Sequence, residues 1–136
     1  MIKLPVIPRP APRQTQKQRS DWYPIYKEEI FIEARQQNFE LGESFEVVFI
    51  IPMPPSWKGK REKKNLTPHD ALSGPDLDNL LKGFMDALLH NDSRVWGVTA
   101  IKLWGYEGAI FVKNAPRLES TAFTEYLGEQ WLNPSS

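Results

Sequence analysis

The sequence predicts an α+β domain, a small mixed β-sheet covered by helices, and three observations carry that expectation. The run "FEVVFIIPM", residues 45–53, is β-branched and aromatic, as a largely buried strand is. From Leu77 to Leu89, Leu77, Leu80, Leu81, Phe84 and Leu88 recur at helical spacing. The other segments mix strand and helix patterns along a chain of 136 residues, too short for two independent cores.

In chain order, "IKLPVI" reads as a short first strand. The proline-rich polar segment after it, "PRPAPRQTQKQRSDWYP", reads as a basic loop or arm over residues 9–22. Residues 24–38 open with Pro24 at a helix-compatible position and carry Glu28 and Glu29 early, which predicts a helix. Beyond the buried strand, Ser56 is placed to cap a short basic helix in "PPSWKGKREKK". Gly74 and Pro75 then break the chain before the helix of residues 77–89, with Asp76 at its N-cap. "RVWGVTAIKLWGY" alternates as a strand, and "GAIFVKN" is expected to return as its hairpin partner across "YEG". "STAFTEYLGEQWL" suits a C-terminal helix capped by Ser120, so that a single domain spans residues 1–136 and residues 117–136 form its terminal helix.

Composition narrows the chemistry. There is no cysteine, and the only histidines are His69 and His90; this excludes disulfides, thiolate chemistry and the usual zinc sites. Any metal would be a hard cation held by oxygen. No apolar run approaches the roughly 18 residues of a spanning helix, and the N-terminus lacks the unbroken apolar stretch of an export signal. A soluble, cytoplasmic protein with no membrane partner is expected. The net charge is zero, yet Lys3, Arg9, Arg13, Lys17 and Arg19 occupy the first 20 residues without an acid, and residues 58–64 read "KGKREKK". A single basic run is commonly a solvated loop; two of them flanking an acidic helix suit a polyanion.

Between residues 75 and 97 the chain gathers Asp76, Asp78, Asp86 and Asp92 with Lys82. On a helix Asp78, Lys82 and Asp86 share one face, roughly opposite Leu77, Leu81, Phe84 and Leu88. Spacing alone leaves two readings open. In the first, Asp76 caps, Asp78 complements the helix dipole, and the ion pairs are solvated and contribute about 0.2–0.5 kcal/mol each. In the second, Asp76 and Asp78 join Asp92 to hold one or two Mg²⁺ ions, and Lys82 offsets the charge of a phosphate under attack.

The longer pattern is more specific than the bare D-x-D-N. "PDLDNLLKGFMDALLHNDSRV" resembles the signature of RusA-type Holliday-junction resolvases: D-L/I-D-N, a lysine three residues later, D-A-L, then a D-D or N-D-S-Q/R-I/V turn into a strand. "PPSWKGKREKK" with the following Pro68 and His69, and the early "PRPAPRQT", extend the resemblance over roughly residues 4–112. It implies a RusA-like fold in which Asp76, Asp78 and Asp92 are the metal-binding catalytic acids and Lys82 the basic residue of the site, with Asp86 either structural or a support for the site residues. It also implies Mg²⁺ as cofactor, with Mn²⁺ as the alternative, four-way junction DNA as substrate, a homodimer, and a bacterial or phage source.

On that reading Arg9, Arg13, Lys17, Arg19, Lys58, Lys60, Arg61, Lys63 and Lys64 neutralise phosphates around acids that would otherwise repel DNA. Trp57 either packs or stacks on a base, with packing the commoner use. His69 reads as a hydrogen-bonding loop residue, and His90 as a partner of the helix C-terminal dipole. Two rivals stand beside the resolvase: a metal-dependent nuclease for other branched or flap DNA, and a non-catalytic DNA-binding module whose acids merely solvate a helix.

Overall fold

A computed structural model describes residues 1–12, 21–115 and 122–132. Strand β1 (Ile2–Leu4) is followed by helix α1 (Trp22–Gln36), strand β2 (Ser44–Pro52), the one-turn helix α2 (Arg61–Lys64) and helix α3 (Leu77–Leu88). A 3₁₀ turn (Asp92–Arg94) then leads into β3 (Gly97–Gly105), β4 (Ala109–Asn114) and α4 (Ala122–Leu127), which runs into a π-helical turn (Gly128–Leu132). This is the α+β order expected, with a four-stranded mixed sheet arranged β1-β4-β2-β3.

The sheet corrects one expectation. β3 and β4 are not a hairpin: β2 lies between them, parallel to β3 from Ser44↔Gly97 to Pro52↔Gly105 and antiparallel to β4 from Phe45↔Asn114 to Ile50↔Ala109. The connection Tyr106–Gly108 passes over the end of β2, where the Met53 N–H bonds the Gly105 carbonyl at 2.9 Å. Gly105 permits the close approach, because a Cβ there would sit 2.2 Å from Ile50 Cγ2. β2 is the most apolar strand and gains most from two neighbours, which places it centrally.

Phe45, Val47, Phe49 and Ile51 of β2, with Leu4, Ile110 and Val112, form the inner face of the sheet. Onto it pack Tyr26, Ile30 and Ala34 of α1 and Leu80 and Phe84 of α3. The Phe84 ring lies 5.9 Å from Phe45 and 6.1 Å from Phe49, so α3 is anchored over the middle of β2 by a fully buried aromatic. α1 begins at Trp22, two residues before the expected start. Ser56 does not cap α2: Lys60 holds that position without a side-chain cap. Ser120, the expected cap of the terminal helix, lies outside the described residues.

Candidate active site

The head of α3 is built by the break before it. Pro75 has no N–H, and Asp76 takes an extended conformation (φ −72°, ψ 139°) at the N-cap. The Asp76 carbonyl accepts the Leu80 N–H at 3.1 Å, which opens the helical ladder, but its carboxylate makes no capping bond. Asp76 therefore occupies the cap position without doing a cap's work. Asp78 sits in the first turn, where the dipole favours a negative charge, and its Oδ1 accepts the Asn79 N–H at 3.0 Å. Both carboxylates are exposed.

Farther along the same face the chemistry changes. Asp86 accepts the Tyr23 hydroxyl at 2.8 Å and stands 3.7 Å from the Lys82 ammonium. Burial, and then the bond to Asp86, push the Tyr23 phenol well above its ordinary range, so it stays a donor. Gly83 faces the Tyr23 and Tyr26 rings of α1, where a Cβ would be in ordinary contact with both at 3.6 Å. The contacts of Asp86 with Tyr23 and Lys82 fit both alternatives for it, a structural residue or a support for the site.

Residues 9–11 touch both α3 and α1. The Ala11 N–H bonds the Asn79 carbonyl at 3.0 Å, the Arg9 N–H bonds the Tyr26 hydroxyl at 3.0 Å, and the Arg9 guanidinium lies 3.6 Å from the Trp22 ring centre. Arg13, Lys17 and Arg19 lie outside the described residues. In the second basic segment Lys58, Lys60, Lys63 and Lys64 are exposed, whereas Arg61 is half-buried with its guanidinium 5.2 Å from the Tyr106 ring centre. Trp57 packs on Trp104 at 4.7 Å.

Asp92 opens the 3₁₀ turn and is exposed; Asn91 caps that turn by accepting the Ser93 N–H at 3.0 Å. Among the described residues no three acidic or histidine side chains come together to hold one ion. The α3 head offers two exposed carboxylates, one at the N-cap and one in the first turn, and Asp92 belongs to a separate element. That donor set suits a hard cation, since Mg²⁺ is commonly held by one or two carboxylates with water and substrate phosphate filling the remaining positions.

Two residues that the sequence did not mark as functional support this head. Lys102, on the inner face of β3 in register with Phe49, donates from its ammonium to the Pro75 carbonyl at 2.7 Å. His69 is 3% exposed, its ring lies 3.9 Å from Trp104, and its Nδ1 is buried without a hydrogen-bond partner. Burial lowers the His69 pKa, and the Lys102 charge acts in the same direction. A signal for Lys102 was present: it is the one charged residue in the alternating set Val98, Ala100, Lys102, Trp104. The family model described as endodeoxyribonuclease RusA matches residues 5–113. No curated protein matches the chain.

Proposed function

Because the chain belongs to the RusA endodeoxyribonuclease family, whose members resolve Holliday junctions, we propose that it cuts branched DNA by Mg²⁺-dependent phosphodiester hydrolysis at the head of α3. The observation that carries this reading is the state of Asp76 and Asp78: both are exposed, and the Asp76 carboxylate forgoes its capping bond. Asp92 is proposed as the third acid. A bound Mg²⁺ would supply charge stabilisation at the attacked phosphate and would lower the pKa of an attacking water it holds.

The chain's own groups do the rest. Lys82, 62% exposed, reaches out from the same face and offsets charge on the scissile phosphate. Lys58, Lys60, Lys63 and Lys64, with the basic arm, hold flanking phosphates, a contribution that weakens with salt. The proposal includes a homodimer, because a two-fold pair presents one site to each of two opposed strands of a two-fold junction.

The test is nicking of a labelled four-way junction, a flap and a linear duplex, with and without Mg²⁺, by wild type and by the Asp78→Asn and Asp92→Asn proteins. Junction-selective, Mg²⁺-dependent cutting by wild type is expected, lost in both variants with junction binding retained. Equal cutting of all three substrates would remove the selectivity. Undiminished cutting by Asp78→Asn would remove the metal site, and by Asp92→Asn alone would remove the third acid.

A further inference from the structure

We propose that Lys102 is a positioning residue for the acidic head of α3, fixing Asp76 through the backbone of the loop from His69 to Pro75. The inference rests on the reading of Asp76 as a metal-binding acid.

Lys102 grips that loop at both ends. Its carbonyl accepts the His69 N–H at 3.1 Å, and its ammonium donates to the Pro75 carbonyl at 2.7 Å. The chain reaches this edge of the sheet by a costly turn: Leu66 adopts φ 62°, in the left-handed region, while its N–H bonds the Trp104 carbonyl at 2.8 Å. The Thr67 carbonyl then accepts the Trp104 N–H at 2.9 Å, and Pro68 bridges to Leu103. Within the loop the His69 ring rests on Trp104, and Gly74 closes over it; a Cβ at Gly74 would lie 2.0 Å from His69 Cε1.

The Pro75 carbonyl lies outside the helical ladder, which starts at the Asp76 carbonyl, and Lys102 supplies its donor. The ammonium is thus engaged by backbone rather than by a carboxylate, which leaves the Asp76 side chain free for a cation. Replacing the ammonium releases the last fixed point before Asp76 and permits the Gly74–Pro75–Asp76 segment to shift. A displacement of about 1 Å at such a site costs on the order of 100-fold in rate.

The test uses full-length protein with Lys102→Met, Lys102→Arg and Gly74→Ala substitutions. Mn²⁺ binding is measured by calorimetry without DNA, single-turnover cutting across a Mg²⁺ titration, and junction Kd separately. Lys102→Met is expected to bind Mn²⁺ about 10- to 100-fold more weakly and to cut more slowly by a similar factor, as for outer-shell partners of metal ligands. Its junction Kd should stay at the wild-type value, and Lys102→Arg, which keeps a donor, should recover most of the loss. Gly74→Ala removes no charge yet displaces the same loop, so weakened Mn²⁺ binding is expected there too, even if Lys102→Met does not fold.

Wild-type Mn²⁺ affinity in Lys102→Met or in Gly74→Ala would overturn the proposal. So would a loss in which Arg recovers nothing and junction binding falls in step, for that pattern marks a DNA contact. Wild-type protein that neither binds Mn²⁺ nor cuts would instead overturn the metal-dependent reading beneath it.

Discussion

Asp78 and Asp86 stand about two turns apart on one face of α3, and their surroundings commit them to opposite uses. Asp78 is exposed and bonds the N–H of its own neighbour. Asp86 is half-buried, takes the Tyr23 hydroxyl at 2.8 Å and lies beside Lys82. By helical spacing alone the two are equivalent. What separates them is α1, which packs on α3 at Gly83 and supplies the Tyr23 hydroxyl to Asp86. An acid covered by a neighbouring element becomes part of the framework, and one left at the open end remains available for chemistry.

The sharpest way to break this contrast is to remove the same charge from each position. Asp78→Asn should reduce junction cutting on the order of a thousand-fold, the several kcal/mol of charge stabilisation that a bound metal supplies. Its thermal midpoint should not fall, because an exposed carboxylate at this position contributes little to folding. Asp86→Asn should do the reverse: cutting within a few-fold of wild type, and a stability loss of about 1 kcal/mol from the weakened bond to Tyr23. Denaturant titrations and nicking rates on the same preparations decide it; a stable Asp86→Asn protein without activity would erase the distinction.

A smaller effect isolates the framework side. Tyr23→Phe deletes one hydroxyl and leaves Asp86 half-buried without that donor, which should cost about 1 kcal/mol. Combined with Asp86→Asn, the losses should be less than additive, because both variants remove one bond. Strict additivity would show that Tyr23 and Asp86 act separately.

How far the sequence revealed this arrangement depends on the range of the forces involved. α3 was legible because Leu80 and Phe84 sit within a helical period that one face of one helix satisfies. β2 was legible from its β-branched run. The β3–β4 pairing misled because "YEG" between two strand patterns looks like a turn from within, whereas the position of β2 between them is decided by side chains that lie more than 50 residues upstream, such as Phe49 opposite Ile110. The acids of the α3 head were readable from local pattern and resemblance. The charge of Lys102 stood out within the β3 alternation, but its role was not readable, since that depends on Pro75, which reaches it only once the loop after α2 has packed along β3. The same holds for Tyr23, whose partner is 63 residues away.

The smallest expected effect concerns what lies beneath each end of α3. The framework end rests on a tyrosine that keeps its proton throughout the working pH range, while the loop before Asp76 rests on His69, a buried ring whose pKa is lowered from 6.5. Between that lowered value and 6.5 the unfolded chain binds more protons at this residue than the folded one. Stability from this group is therefore complete above about pH 6.5 and is lost as pH falls through that value toward the folded-state pKa. The loss begins above the range in which ordinary carboxylates titrate, so it can be read separately. Thermal midpoints measured from pH 7.5 downward should decline below about 6.5 in wild type and decline less in His69→Phe. Amide exchange should accelerate first in residues 69–75, with the Asp86 end of the helix unaffected. Parallel declines in the two proteins would show that the loop, and with it the Asp76 end, does not depend on a neutral His69.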